Sequence, residues 1–534
     1  MLVYTDKKFL IVDDFSDFRS SVRSMLRELG VKNVDMCDTG EEALKVCALR
    51  RYDFILHDFN LGDGRKTGQQ VLEDLMSDKL MSHECIFIMV TAENSQAMVM
   101  SALEWEPDAY LTKPFNRAGL AQRLDKLVQR KTLLKPILKA LDKGDPAMVL
   151  EACAELTRQD PRFAPLCLRY KADALRDLKR DDELEALLKS ILADRPTPWA
   201  YSALGSLLAR RNQTTPALAV YEAALKAFPS MPALYDGLAD VLVAQGDSKR
   251  AQKVLEDAVR LSPLAVRRQG LLGKLALDNE DFEGASRAFR QAVAQGKHSR
   301  FKDPETNLGF AQALINKTGE HGLDARSRAE LNLTLGEVAK EHADNPALSA
   351  RTSLMKASSL QRSDPEAAAK LAEEAMAKVA DMEQFFSADI ALKFATQLQQ
   401  LGQDAASASM FKNCAQIYGD DPAVMQSIVS LSNDPDIAAD HQAAMALNVQ
   451  GVRSYKGGDL GQAQALFRQA LAMQPKNISI ALNLAQSLLH ARGTTPDAAK
   501  LEECQACLNS VGNLPATDTR YERYQNLRNR AFDA

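Results

Sequence analysis

The chain has no long apolar run. Its first stretch, "MLVYTDKKFLIVDD", holds only the four-residue run Phe9 to Val12, far short of a signal-peptide core, and nothing later approaches the roughly 20 apolar residues of a membrane span. A cytoplasmic protein without membrane contact is therefore expected. Excess positive charge is also missing: 66 Lys and Arg stand against 71 Asp and Glu, for a net charge of -5. That balance excludes a broad electrostatic grip on nucleic acid and makes proteins the expected partners. Cysteine is present but dispersed, at positions 37, 47, 85, 153, 167, 414, 504 and 507. The pair Cys504 and Cys507 has C-x-x-C spacing, yet a zinc ribbon needs a second pair and a redox motif needs a thioredoxin-like strand before it. Neither is present, and with Leu501 and Leu508 the pair predicts a packed helix face. No P-loop, zinc-finger spacing or basic recognition helix is found.

What is present falls into two patterns. Up to about residue 130, strand-length apolar runs alternate with amphipathic segments such as Phe18 to Leu29 and Glu41 to Leu49. The runs are "FLIV" (9–12), "VDMC" (34–37), "FIL" (54–56), "CIFIMV" (85–90) and "AYL" (109–111). Five such alternations predict a doubly wound, five-stranded parallel sheet, whose ligands gather at the carboxyl ends of the strands.

After about residue 135 the strand signal ends and a helical repeat begins. Pro161, Pro196, Pro229 and Pro263 are 35, 33 and 34 residues apart. Tyr201, Leu204, Gly205, Leu208, Ala217, Tyr221 and Ala224 are followed 34 residues later by Tyr235, Leu238, Ala239, Leu242, Ala251, Leu255 and Ala258. Small residues are needed where two helices cross closely, and large ones wedge beside them. The pattern resembles the tetratricopeptide repeat (TPR), which implies an all-α superhelical solenoid. It returns as Gly451, Gly458-Asp459, Ala463, Phe467, Ala470 and Pro475. The expected organisation is an α/β unit over 1–130, TPR-like repeats over 131–297, degenerate helical repeats over 298–440 and TPR-like repeats over 441–534. Leu120, Leu124, Leu127 and Val128 suggest the last helix of the α/β unit, and Pro136 is expected to start the first solenoid helix.

Asp13 and Asp14 follow the first strand, as Asp58 follows the third. If those strands are neighbours, three carboxylates converge, and two charges 4 Å apart repel by roughly 4 kcal/mol at an effective dielectric of ~20. Something positive must sit there. An all-oxygen ligand set selects a hard divalent cation, Mg²⁺ above all. The fourth strand ends in Thr91 and the fifth in Lys113. The ordered set Asp13-Asp14, Asp58, Thr91, Lys113-Pro114 resembles the flavodoxin-like receiver domain of two-component response regulators. The resemblance implies that Asp58 takes a phosphoryl group from a histidine kinase or phosphotransfer protein. It implies Mg²⁺ on Asp14, Asp58 and the backbone carbonyl of Asn60, with Asp13 acting largely through water. It also implies that Lys113 and Thr91 contact the phosphoryl oxygens and that Tyr110 is a switch aromatic.

Gly62 stands where that family usually has proline. Asn60 and Glu93 resemble the chemotaxis-type receiver and imply a short-lived phosphate. His57 should alternate away from the active edge and pack there. "GGDL" at 457–460 falls in a repeat turn and does not continue as a cyclase motif. The chain is thus expected to have no catalysis beyond the receiver's own phosphorylation and dephosphorylation. The solenoid would be a phosphorylation-controlled protein-binding surface, for which the repeat frame offers Trp199, Arg210, Asp236, Asp240, Arg267 and Lys274. The alternative is a constitutive scaffold whose receiver docks a kinase or drains its phosphate. The switching face, the fourth helix and fifth strand with Met98, Val99, Trp105 and Tyr110, could also support a homodimer.

Overall fold

The structure, a computed structural model, describes residues 4–62, 64–92, 107–317, 323–380, 387–432, 434–490, 498–512, 514–516 and 518–532. Five strands form a parallel sheet: β1 (Lys8–Val12), β2 (Asn33–Cys37), β3 (Phe54–Asp58), β4 (Ile86–Thr91) and β5 (Ala109–Thr112). Their order is β2-β1-β3-β4-β5, so β1 and β3 are neighbours as the converging aspartates require. Register runs from Phe9 opposite Phe54 to Val12 opposite His57. The strands read as continuous apolar runs because both faces are covered. One face carries Phe9, Ile11, Phe54, Leu56 and Ile88, and the other Leu10, Ile55, Phe87 and Met89.

Helices α1 (Ser16–Glu28), α2 (Gly40–Leu49) and α3 (Gly68–Ser77) connect the first strands. Thr67 and Gln70 close α3 with a capping box, each side chain bonding to the other's backbone N–H.

The junction departs from expectation. Pro136 does not start a helix; it lies inside one continuous helix, Arg117–Lys143. An interior proline costs a hydrogen bond and crowds the preceding turn, about 3 kcal/mol. Burial on both sides offsets it: Leu120, Ala121, Leu124 and Leu127 pack on the sheet, and Leu134, Ile137, Leu138 and Ala140 pack on the first solenoid helices. Lys131 pins the middle by donating to the carbonyls of His83 and Cys85 and pairing with Asp108 at 2.9 Å. One rigid element therefore belongs to both cores.

The remaining described elements are helices, apart from one 3-10 turn at Pro161–Phe163. The chain divides into two compact units, Met1–Ala313 and Leu314–Ala534. In the first, the repeat glycines explain themselves by contact. A Cβ on Gly205 would lie 2.5 Å from the Tyr221 ring, and one on Gly237 would strike the same ring. Gly273 and Gly309 hold Phe289 in the same way. In the second unit, Phe394, Phe411 and Cys414 form one core, and Phe467, Leu484, Cys504 and Cys507 belong to another. The C-x-x-C pair is thus two buried free thiols on a packed helix. "GGDL" is a repeat turn in which Asp459 caps the helix Leu460–Met473. Among the described residues no helix is long and apolar enough to cross a membrane.

Candidate functional site

The site forms where β1, β3 and β5 end. Asp13 follows β1, is essentially buried, and holds its turn by accepting from the N–H of Phe15 at 3.0 Å. Asp58 closes β3 and is 7% exposed. Lys113 follows β5; its N–H donates to the Thr91 carbonyl at 2.8 Å, and its ammonium reaches Asp13 at 2.6 Å and Asp58 at 2.8 Å. The same ammonium lies 4.1 Å from the Phe18 ring centroid. Asp13, Asp14 and Asp58 offer oxygens within 4.8 Å of one another.

Two observations indicate that one lysine does not neutralise this cluster. Asp14 Oδ1 is buried without a hydrogen-bond partner. Burial also raises the Asp58 pKa above the ordinary carboxylate value, against the pull of Lys113. Burial opposes the charge on Lys113 as well, but its bonds to Asp13 and Asp58 prevail and raise its pKa. A hard cation is what the orphaned oxygen and the excess of carboxylate call for, so the residues fit Mg²⁺. Asn60 is exposed in the loop beyond Asp58, where its side chain accepts from the N–H of Gly62 at 3.1 Å. Gly62 adopts a φ of 97°, which proline cannot adopt. A Cβ there would lie 3.9 Å from Asp14 Oδ2, so the loop passes over the carboxylates.

Thr91 is buried at the end of β4, and Tyr110 on β5 is half-buried against the sheet, its hydroxyl pKa raised by burial. His57 is fully buried on the face away from the carboxylates, stacked on Phe87. Its Nδ1–H donates to the Asp58 carbonyl at 2.7 Å, and burial lowers its pKa to about 4, so it stays neutral. Glu93, Met98, Val99 and Trp105 lie outside the described residues.

Residues 9–125 match the response regulator receiver domain family. The chain is 34% identical over 123 residues to chemotaxis protein CheY-3 of Vibrio cholerae serotype O1, a span covering 23% of this chain and 92% of that protein. The chain belongs to the response regulator receiver family. The receiver is also 32% identical to chemotaxis protein CheY of Pseudomonas aeruginosa over 123 residues, 23% of this chain and 97% of that protein. The solved structure of Vibrio cholerae CheY4 matches 23% of this chain and 98% of its own at 26% identity and a TM-score of 0.21. Residues 202–265, 237–300 and 449–503 match the tetratricopeptide repeat family. A receiver implies a kinase or phosphotransfer partner, and TPR repeats imply protein interaction.

The six solenoid residues have different local partners. Trp199 and Arg210 line a cavity of about 330 Å³ together with Arg169, Asp173 and Arg176. Asp236 instead accepts both arms of Arg268 at 2.6 Å, a bidentate pair in which Arg268 is buried. Asp240 is accessible at the surface, yet desolvation of its carboxyl and the neighbouring Asp236 raise its pKa, with Arg267 opposing. Arg267 stacks over Phe301, and Lys274 is exposed. The repeat frame missed Arg268, because a buried arginine one residue from an exposed one carries no signal in helical periodicity.

Proposed function

We propose that this protein is a phosphorelay response regulator in which Asp58 accepts a phosphoryl group and the TPR solenoid is its protein-binding output. The observation that carries the reading is the site itself: Lys113 bridges Asp13 and Asp58 while Asp14 keeps an orphaned buried oxygen. Asp13, Asp14, Asp58 and the carbonyl of Asn60 would hold Mg²⁺, which supplies charge neutralisation to phosphoryl oxygens. An Asp58 oxygen attacks phosphorus as the bond to the donor imidazole breaks, and the displaced imidazole leaves with the electron pair. Lys113 then pairs with a phosphoryl oxygen, Thr91 donates a hydrogen bond to another, and Tyr110 follows the threonine. Such chemistry is positioning plus neutralised charge.

The division at 1–130, 131–297, 298–440 and 441–534 serves this reading as one input unit and three blocks of helical hairpins. The cavity beside Trp199 and Arg210 is the first place to seek a bound peptide, and a cytoplasmic location fits a histidine kinase donor. The test compares hydrodynamic size and mass of the wild type and Asp58→Asn in Mg²⁺, before and after adding the phosphoryl mimic beryllium fluoride. A change confined to the wild type supports a controlled output, including one through a homodimer. Mimic binding without any change favours the constitutive scaffold.

A further inference from the structure

The helix Phe282–Gly296 ends against the receiver, and receiver side chains complete its C-terminus. Gln70 donates to the carbonyl of Gln295 at 3.1 Å, one of the final carbonyls that a helix leaves unsatisfied. Lys66 donates to the carbonyl of His298 at 2.7 Å and pairs with Asp74 at 2.7 Å, bringing positive charge to the negative end of the helix dipole. Arg300 returns the contact, 3.3 Å from Asp78 and 3.8 Å from Asp74. Leu264, in the turn before the neighbouring helix Val266–Asp278, packs on the apolar cluster between the sheet and α3. The receiver half of this contact is drawn from 66–78, directly after the loop that leaves Asp58.

That loop is fixed at both ends. The N–H of Gly68 donates to the Phe59 carbonyl at 2.9 Å, and a Cβ on Gly68 would meet the Asp58 carbonyl at 2.5 Å, so α3 starts hard against the exit of β3. At the other end Gly62 passes over Asp14. The Phe59–Gly68 hydrogen bond and the tight seat of Gly68 on the Asp58 carbonyl thus connect the Asp58 backbone directly to the segment that carries Lys66 and Gln70. We propose that the α3 face of the receiver is the docking surface for this chain's own segment Gln295–Arg300, and that loading Asp58 weakens the docking. The inference rests on the reading of Asp58 as phosphoacceptor. Linkage makes the effect reciprocal: undocking favours loading by the same factor.

The experiment is hydrogen exchange on the full chain over 66–78 and 295–302, with bound beryllium fluoride followed separately by ¹⁹F NMR. Arg300→Glu sets a carboxylate against Asp74 and Asp78 and should speed exchange of both segments roughly fivefold or more. The charge swap Asp78→Arg with Arg300→Glu should restore protection. Mimic plus Mg²⁺ should speed the same segments in the wild type and not in Asp58→Asn, and Arg300→Glu should bind the mimic roughly fivefold more tightly. Exchange indifferent to Arg300→Glu, or a bound mimic that leaves both segments protected, overturns the docking proposal while the receiver reading stands. A mimic that does not bind the wild type overturns the reading of Asp58 and this inference with it.

Discussion

Replacing Lys113 by Met removes the ammonium that bridges Asp13 and Asp58 and leaves three carboxylates gathered at one sheet edge. Both bridged carboxylates are nearly buried, so neither rehydrates easily, and breaking a buried pair from one side costs about 3–5 kcal/mol. The cost is capped by proton uptake, since the Asp58 pKa is already raised by burial and rises further without its cation. Mg²⁺ should recover much of the loss, because the ion supplies the missing charge and binding to the native state alone adds about 2.7 kcal/mol at 100 times Kd. Hydrogen exchange of the β1 and β3 amides reads the opening free energy of that sheet. The expected result is a wild-type to Lys113→Met gap of about 3–5 kcal/mol in chelator that narrows by more than about 1 kcal/mol in excess Mg²⁺. A gap that is the same with and without Mg²⁺ would refute the claim that lysine and cation share one neutralising task.

Three further outcomes follow from local packing. Glu73 is buried, which pushes its carboxyl up to about 7; Gln69 opposes this by hydrogen bonding, Asp74 adds to it, and Arg300 and Lys66 oppose it. The unfolded chain therefore loses this proton first, near 4.5, and stability falls as pH rises from there to about 7. Glu73→Gln should gain up to roughly 3 kcal/mol in urea unfolding at about pH 8 and little at about pH 4, and equal gains at both would contradict the assignment. Gly205→Ala drives a methyl into the Tyr221 ring and should cost about 1–3 kcal/mol, an effect that Tyr221→Leu in the same chain should reduce. Asp236→Ala strips the buried Arg268 guanidinium of its bidentate carboxylate, whereas Arg268→Met leaves a half-exposed Asp236 that can rehydrate. Unfolding should show the first to be the more destabilising, and the reverse order would mean that the pair is not desolvated as described.

Much of this was legible in sequence for physical reasons. Runs such as "FLIV" and "CIFIMV" have to be strands covered on both faces, and the aspartates at their ends meet once β1 lies beside β3. The glycines at 205 and 451 were readable as close approaches, since each sits against a large ring of the next helix. The long helix was not legible, because Pro136 signals a start unless burial on both sides keeps the helix going. Lys66, Gln70 and Arg300 were missed for another reason. Their partners are up to 232 residues away, and three of the bonds end on backbone carbonyls or exposed carboxylates that have no periodic signature.

The central claim is that Asp58 is the phosphoacceptor, and intact mass after incubation with a small-molecule phosphodonor tests it most directly. The account predicts a single phosphoryl adduct that maps to Asp58, requires Mg²⁺, is lost on chelation before labelling and is absent from Asp58→Asn. An adduct that persists in Asp58→Asn, or a wild type that takes up no phosphoryl group in excess Mg²⁺, would contradict it.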